Sequence, residues 1–385
     1  MSTEYNSPVI SEDEKITRPT KVEVDLSILK ENFYAIKNHV APVKVNIALK
    51  SNAYGHGLVR IAKLLEETGA DYLSVAVVEE GILLRKSGIK MPILVLGGVW
   101  GNQVPLFIKY DLAITASSVE KIKQIDEIAE HMKRKAKVHI KIDTGMERVG
   151  VHYYNSHKFL EEVYKNKNVS VDGIYSHFAN ADSTDLTHTK LQLERFQETL
   201  QFFEKNSIET PVRHIANSGA LLQMQETYLD MVRPGILFYG VYPSKELPKT
   251  ISVRPALTWK SLVVYFKVIK PNHPVGYGLK WQSEKNVRAV TVPVGYGDGY
   301  FRSMSHKAQV IIRGNKYPVI GTISMDQIIV NIGDNSAYNG DEVILLGSDG
   351  NKSITAEDLA EWAGTIPYEI LTNINTRVPR VYKGS

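Results

Sequence analysis

A chain of 385 residues, 43% hydrophobic and 23% charged, has the composition of a soluble globular protein and enough length for two domains. Its lack of cysteine excludes disulfides, zinc–thiolate centres, iron–sulfur clusters and cysteine nucleophiles. A net charge of +4 is small for this size and argues against nucleic acid as a partner. The basic run Lys133, Arg134, Lys135 and Lys137 reads as a solvated helix end. The histidines show no H-x-x-x-H or H-E-x-x-H spacing, so no metal site is expected. The N-terminal stretch is polar and acidic, without a basic region followed by an apolar core. No apolar run approaches the roughly 20 residues of a membrane span. The expectation is a cytoplasmic protein without a membrane partner.

From residue 24 to about 240, short β-branched runs alternate with amphipathic helical stretches. The runs are Val45–Leu49, Tyr72–Val77, Ile93–Leu96, Leu112–Thr115, Val138–Ile142, Val171–His177, Val212–Ile215 and Leu229–Arg233. Between them, Ser117 and Glu120 have capping-box spacing, and Gly69 and Gly88 sit where helices should stop. Leu193, Phe196, Leu200 and Phe203 form one helical stripe of core residues. Eight strands separated by helix-length segments predict a (β/α)8 TIM-type barrel over residues 21–248. A doubly wound open sheet is the alternative, but no G-x-G-x-x-G turn follows the first strand. Catalytic groups of a barrel occupy the C-terminal ends of its strands. Lys50, Asp143, His177, Asn217 with Ser218, and Arg233 fall there.

Lys50 ends the apolar run V-N-I-A-L and opens a glycine-bearing loop, S-N-A-Y-G-H-G. Partial desolvation disfavours its ammonium form and frees an amine able to form a Schiff base, above all with pyridoxal phosphate. Taken alone, such a lysine is a snorkelling strand end. Beyond residue 250 the texture changes to strands with short turns, including R-G-N-K as a hairpin turn. One clear helix is opened by Thr355 and Asp358 at capping-box spacing. Residues 249–385 therefore read as a mainly antiparallel β domain, with residues 1–20 either joining it or disordered.

Ten segments, in order, resemble those of alanine racemases. They include V-N-I-A-L-K-S-N-A-Y-G-H-G, K-I-D-T-G-M-E-R-V-G, I-Y-S-H-F-A-N-A-D, H-I-A-N-S and V-R-P-G-I-L-F-Y-G. Later come V-G-Y-G, V-G-Y-G-D-G-Y-F-R, G-T-I-S-M-D-Q, P-Y-E-I-L and R-V-P-R. Those proteins are fold-type III pyridoxal-phosphate isomerases, with a barrel and a β domain. The resemblance runs from about Lys21 to the C-terminus, and the motifs are specific jointly, not singly.

The resemblance implies a homodimeric enzyme that interconverts L- and D-alanine, a peptidoglycan precursor. It makes Lys50 the Schiff-base lysine and Tyr277 the second catalytic base, on opposite faces of the substrate's Cα. A tyrosine is a poor base at neutral pH unless its site stabilises the phenolate. Asn217, Ser218, Gly235 and Ile236 match phosphate contacts, with Tyr54 and Tyr368 as phosphate-binding tyrosines. Arg233 matches the arginine facing the pyridine nitrogen, and His177 the histidine near the ring. Arg148 matches the substrate-carboxylate arginine, joined by Met325 and Asp326. Tyr296 matches a tyrosine at the active-site entrance. Lys141 matches a lysine that is carbamylated in many members. Head-to-tail dimerisation brings Tyr277 and Tyr296 to the other subunit's site.

Without the resemblance, Tyr277 reads as an interface aromatic, Ser218 and Gly235 as turn residues, and Arg233 and His177 as buried structural groups. The chain departs from the family pattern at Glu147, Gly276 and Ser324. Serine or broad-specificity racemisation is the second reading, and a non-catalytic pyridoxal-phosphate protein the third. The β domain carrying Tyr277 argues against the last.

Overall fold

The computed structural model describes residues 17–384. The chain divides into two compact units, one holding residues 28–254 and the other residues up to 27 together with 255 onward. Strand β1, Lys21–Asp25, belongs to the second unit.

The first unit is a parallel barrel. Its strands are β2 (Lys44–Ala48), β3 (Tyr72–Val75), β4 (Ile93–Val95), β5 (Ala113–Ala116) and β6 (Ala136–Asp143). After the short β7 (Val151–His152) come β8 (Val169–Tyr175), β9 (Val212–His214) and β10 (Met231–Val232). The sheet runs β10-β2-β3-β4-β5-β6-β8-β9, with β7 beside β6. Backbone bonds from Asp230 N to Arg213 O and from Arg233 N to Ala216 O bridge the seam between β9 and β10, at 3.1 and 2.9 Å. All eight expected barrel strands are present, with one or both ends shifted by one or two residues from the apolar runs.

Helices cover the barrel with their apolar stripes. Thr187–Lys205 buries Leu193, Phe196 and Phe203 as the spacing predicts, whereas Leu200 of the same stripe is only half-buried. The cap of Val119–His131 falls on Ser118, one residue beyond Ser117; its side chain accepts from Lys121 N at 3.1 Å. Gly69 ends Leu58–Thr68 in the left-handed region.

The second unit is a mainly antiparallel sheet. Its later strands are β11 (Leu257–Leu262), β12 (Tyr265–Ile269), β13 (Val287–Val292), β14 (Gln309–Ile312) and β15 (Asn315–Ile320). They continue with β16 (Ile328–Gly333), β17 (Glu342–Asp349), β18 (Lys352–Ile354) and β19 (Arg380–Lys383). The order is β12-β13-β16-β15-β14-β17-β11-β1-β19. The R-G-N-K segment turns β14 into β15 through Arg313 and Gly314, both at positive φ. Thr355 and Asp358 form the expected capping box, and a second helix, Pro367–Thr372, starts on its proline.

Two boundaries differ from the sequence reading. Residues 21–27, assigned there to the barrel, lie in the β unit, because β1 pairs with β11 and β19. Residues 249–254, assigned to the β domain, lie in the barrel unit. Thr250 Oγ1 donates to Leu222 O at 2.8 Å, and Asn32 Nδ2 donates to Arg254 O at 2.8 Å. Within the β unit, Arg18 reaches Asp298, and Thr20 bonds Ser261 and Pro293. The expectation for residues 1–16 lies outside the described residues. Among the described residues, no helix is long and apolar enough to cross a membrane.

Candidate active site

Lys50 stands just beyond β2, and the backbone after it does something the sequence reading missed. The expected loop is a left-handed helical turn: Ser51, Asn52, Ala53 and Tyr54 have φ of 54, 57, 53 and 50°. For residues with a Cβ this costs roughly 1–2 kcal/mol each. The surroundings hold it in place. Ser51 N donates to Glu80 Oε1 at 2.7 Å, Leu58 N to Asn52 Oδ1 at 2.8 Å, and Gly57 N to Asn52 O at 2.9 Å. The turn sends Lys50 and Tyr54 into the barrel mouth from one short segment. Burial holds the Lys50 amine below its ordinary pKa, Arg148 and Arg233 adding to the effect and Glu80 opposing it.

Tyr54 is buried, its ring 4.9 Å from that of Tyr239. Its hydroxyl lies 2.5 Å from where a Cβ on Gly235 would stand, so position 235 has no room for a side chain. Ser218 Oγ accepts from Gly235 N at 2.9 Å and from Leu237 N at 3.4 Å. Asn217 caps Ser218–Gln223 through its side chain, accepting from Ala220 N at 3.1 Å. Two turns, one opening at Ser218 and one at Ile236, thus begin side by side. First-turn N–H groups have no partner inside their own turn; the Ser218 and Asn217 side chains satisfy three N–H groups at these turns, and the others make the pair a candidate anion cradle. Tyr54, Asn217, Ser218, Gly235 and Ile236 are brought together.

Arg233 is buried, and every acceptor it meets among the described residues is neutral. Its guanidinium donates to His214 Nδ1 at 2.9 Å, Ser176 O at 2.7 Å, His177 Nδ1 at 3.2 Å and Ile215 O at 3.3 Å. Burial lowers its pKa to about 10. His177, half-buried, is pushed well below its ordinary pKa by burial and then by Arg233.

Arg148 is exposed on a loop that Asp143 organises. Asp143 Oδ1 accepts from the N–H groups of Gly145, Met146 and Glu147, and Oδ2 from that of Arg148, all within 2.9–3.2 Å. The helix Thr187–Lys205 clamps the same loop. Arg195 donates to Thr144 O at 2.9 Å, and His188 meets Gly145 O at 3.1 Å. Gln192, fully buried, links Thr144 Oγ1 to His177 O at 3.3 and 3.1 Å. Gln192 and Arg195 went unnoticed in the sequence; a polar Gln beside Leu193 in an apolar stripe was the available signal. Glu147, a departure from the family pattern, has φ of 54°, and its carboxylate meets His152 at 2.8 Å. Lys141 is buried and donates to Ile142 O at 2.7 Å. Burial lowers its pKa to about 7; Asp143 opposes the shift, while Arg233 and Arg148 reinforce it.

The remaining residues lie in the β unit. Tyr277 is 71% exposed on a tight loop closed by Val275 N to Trp281 O at 2.9 Å. Gly276, another departure, has φ of 72°, where glycine is the natural residue. Thr322 Oγ1 donates to Tyr277 O at 2.8 Å. Tyr296 N donates to Ser324 O at 3.0 Å and Gly297 N to Met325 O at 2.9 Å, which joins Tyr296, Met325 and Asp326. Arg377, without an assigned role in the sequence reading, ties this group together. It reaches Asp298 at 2.6 Å, Asp326 at 2.7 Å and Met325 O at 3.5 Å. Tyr368 is half-buried in the helix Pro367–Thr372. Among the described residues, no three acidic or histidine side chains group as a metal site.

Comparison with known proteins gives one answer. The family model for the alanine racemase N-terminal domain matches residues 24–243, and that for the C-terminal domain matches residues 256–382. The alanine racemase of Halothermothrix orenii is 41% identical over 373 residues, covering 96% of this chain and 98% of that one. That of Carboxydothermus hydrogenoformans is 41% identical, covering 95% of this chain and 100% of that one. A solved alanine racemase of Clostridium difficile 630 superposes with a TM-score of 0.91 at 39% identity, covering 96% of this chain and 97% of that one. A second structure of that protein, in complex with cycloserine, gives 0.89 at 38% identity, with 96% and 98% covered. With both domain models matched in order and full-length relatives at this identity, the chain belongs to the alanine racemase family.

Proposed function

We propose that this chain interconverts L- and D-alanine with pyridoxal phosphate as its cofactor, and that two copies build each active site. The observation that carries the reading lies at one end of the barrel. There an amine held below its ordinary pKa, Lys50, accompanies a buried guanidinium with neutral partners only, Arg233. The donor set fits the cofactor's chemistry. Lys50 supplies the amine that anchors its aldehyde. Tyr54, Asn217, Ser218, Gly235, Ile236 and Tyr368 hold the phosphate. Arg233 would meet the ring nitrogen as a donor, and His177 would lie beside the ring.

Bound pyridoxal phosphate withdraws electrons from the amino acid and so acidifies its α-hydrogen. The chain's residues do the rest. Arg148 takes the substrate carboxylate, with the backbone of Met325 and the side chain of Asp326 beside it. Lys50 Nζ moves the proton on one face of Cα and Tyr277 Oη on the other, so neither base has to swing around the substrate. Tyr296 narrows the entrance. Tyr277 and Tyr296 come from a second copy of the chain. The exposure of Tyr265, Phe266, Val268, Tyr277 and Met325 on the β unit supports a partner surface there. Alanine consumed and formed in this way supplies D-alanine for peptidoglycan in the cytoplasm.

The test is a coupled assay of the protein reconstituted with pyridoxal phosphate, using L-alanine and L-serine separately. D-alanine formation with much weaker turnover of L-serine is the expected outcome. Comparable rates on both would favour the broad-specificity reading, and no turnover on either would overturn the proposal.

A further inference from the structure

A chain of hydrogen bonds crosses the barrel interior from Arg233 to the start of β3. Arg233 meets His214 Nδ1 at 2.9 Å, His214 Nε2 meets His139 Nδ1 at 2.8 Å, and His139 Nε2 meets Tyr72 Oη at 3.3 Å. Four barrel segments each contribute one member: β3, β6, β9 and the residue after β10. The barrel is shaped around the chain. Gly173 on β8 pairs with His139, and a Cβ there would stand 2.3 Å from His139 Nδ1. A glycine inside a strand marks such a close approach. Tyr175 lies flat against His214, with ring centroids 4.9 Å apart and planes 6° from parallel. Its hydroxyl is anchored on Thr115 at 2.8 Å.

Donor counting gives this chain one direction. A guanidinium has only hydrogens to offer, so His214 Nδ1 must accept. Burial and Arg233 push His139 down to about 3 and His214 well below its ordinary value, so both rings are neutral. A neutral imidazole has one N–H. The His214 hydrogen therefore sits on Nε2 and is given to His139 Nδ1. The His139 hydrogen sits on its own Nε2 and is given to Tyr72 Oη. The Tyr72 hydrogen must point away from His139. The opposite direction would require a guanidinium to accept.

We infer that His139 and Tyr72 are positioning residues for Arg233: the one-way relay Arg233–His214–His139–Tyr72 fixes the guanidinium and its donor strength towards the cofactor ring. The inference rests on the proposed role of Arg233 at the ring nitrogen. Among the described residues no carboxylate pairs with Arg233, so its orientation depends on these neutral acceptors. A weaker acceptor at His214 Nδ1 loosens the guanidinium, and Tyr72 sets that basicity from the far end of the relay. Hydrogen bonds in series polarise one another in this way.

The test reads the histidines directly. The holoenzyme is labelled with 15N-histidine, and the ring nitrogens of His139 and His214 are assigned by nuclear magnetic resonance. Both are expected as neutral Nε2–H tautomers. Tyr72→Phe, which keeps the ring and removes the acceptor, should shift the His139 and His214 resonances together. It should also displace the cofactor's visible band and lower kcat about two- to tenfold with KM little changed. Tyr72→Gln, which retains an acceptor, should restore part of the shift. A residue that merely fills space would change the melting temperature and leave the tautomers and the band alone. An Nδ1–H tautomer or an imidazolium at either position in the unmodified protein overturns the inference. So does a Tyr72→Phe protein in which the His214 resonances and the cofactor band are both unmoved. A chain that binds no pyridoxal phosphate would instead overturn the proposed function, and the histidine readout separates the two failures.

Discussion

Tyr54 and Gly235 occupy one another's space: the tyrosine hydroxyl lies 2.5 Å from the point where any Cβ at position 235 would begin. One residue closes the left-handed turn after Lys50, and the other opens the turn that carries Ile236. Gly235→Ala should therefore displace the Tyr54 hydroxyl and disturb the cradle from two sides. The expected result is a rise in the dissociation constant for pyridoxal phosphate of about tenfold or more, the equivalent of about 1.4 kcal/mol. Tyr54→Phe removes the clashing atom, so the double variant should lose less than the sum of the two single losses. Fluorescence titration of the four proteins closes the cycle. Strict additivity would mean that the two positions do not share a site.

Asp143 is the organiser of the Arg148 loop, and its loss should be read in substrate binding. Asp143→Asn can no longer accept four N–H bonds, so Arg148 loses its fixed position. The expectation is a KM for alanine raised about tenfold, the scale of a lost hydrogen bond to a charged group, with a smaller fall in kcat. The same carboxylate has a pH signature. Burial pushes its pKa up, but the N–H groups of Gly145, Glu147 and Met146, and the charge of Lys141, outweigh burial and hold it below the ordinary carboxyl value. A carboxyl lowered in the folded state stabilises the fold above its unfolded pKa, and that share is lost as the pH falls through the folded value. The stability gap between the native chain and Asp143→Asn should be full at pH 7 and shrink below about pH 4, the unfolded carboxyl value. Urea unfolding across that range measures it, and a gap independent of pH would remove the carboxylate from the account.

The sequence made the barrel legible because each strand is a short apolar run flanked by helix caps, and because polar residues fall where the runs end. The two adjoining turns were legible for the same reason: N-S-G and R-P-G-I follow consecutive strands, and only the family resemblance adds a phosphate to them. Three features were not legible. The left-handed turn at Ser51–Tyr54 has no local sequence signature, since residues with a Cβ are held in that region by a specific set of bonds that includes the long-range one from Ser51 N to Glu80. Strand β1 looked like the start of the barrel, because its alternation in K-V-E-V-D does not say which sheet receives it. Gln192, Arg195 and Arg377 act through backbone carbonyls and other side chains, so no spacing rule points to them.

Lys50 and Tyr277 should fail in different ways. Lys50→Ala removes the anchoring amine, so the cofactor's visible absorbance and racemisation are both expected to vanish. Tyr277→Phe keeps the anchor and removes one proton-transfer group, so the absorbance should persist. Turnover should fall by about 10²–10⁴-fold, the usual worth of a general acid–base group, most severely from L-alanine. Spectra and initial rates from each enantiomer distinguish the cases. A fully active Tyr277→Phe protein would end the two-base assignment.

Lys141 offers a test that depends on dissolved carbon dioxide. With a pKa lowered to about 7, a large share of its amine is free of its proton near neutrality. Free amine attacks carbon dioxide: a C–N bond forms, one C=O π pair moves onto oxygen, and the amine releases a proton. A cation near Arg148 and Arg233 becomes an anion, which relieves the repulsion those arginines exert on Lys141. Carbamylation should therefore rise as the pH passes through about 7 and fall in acid, because the ammonium form cannot react. Protein prepared with 13C-bicarbonate should show a carbamate resonance that is absent from Lys141→Ala. Bicarbonate-depleted protein should lose about tenfold in turnover, the scale of one charge-assisted hydrogen bond, and recover on adding bicarbonate back. Full activity without bicarbonate, together with no 13C signal, would leave Lys141 as a neutral buried amine held by Ile142.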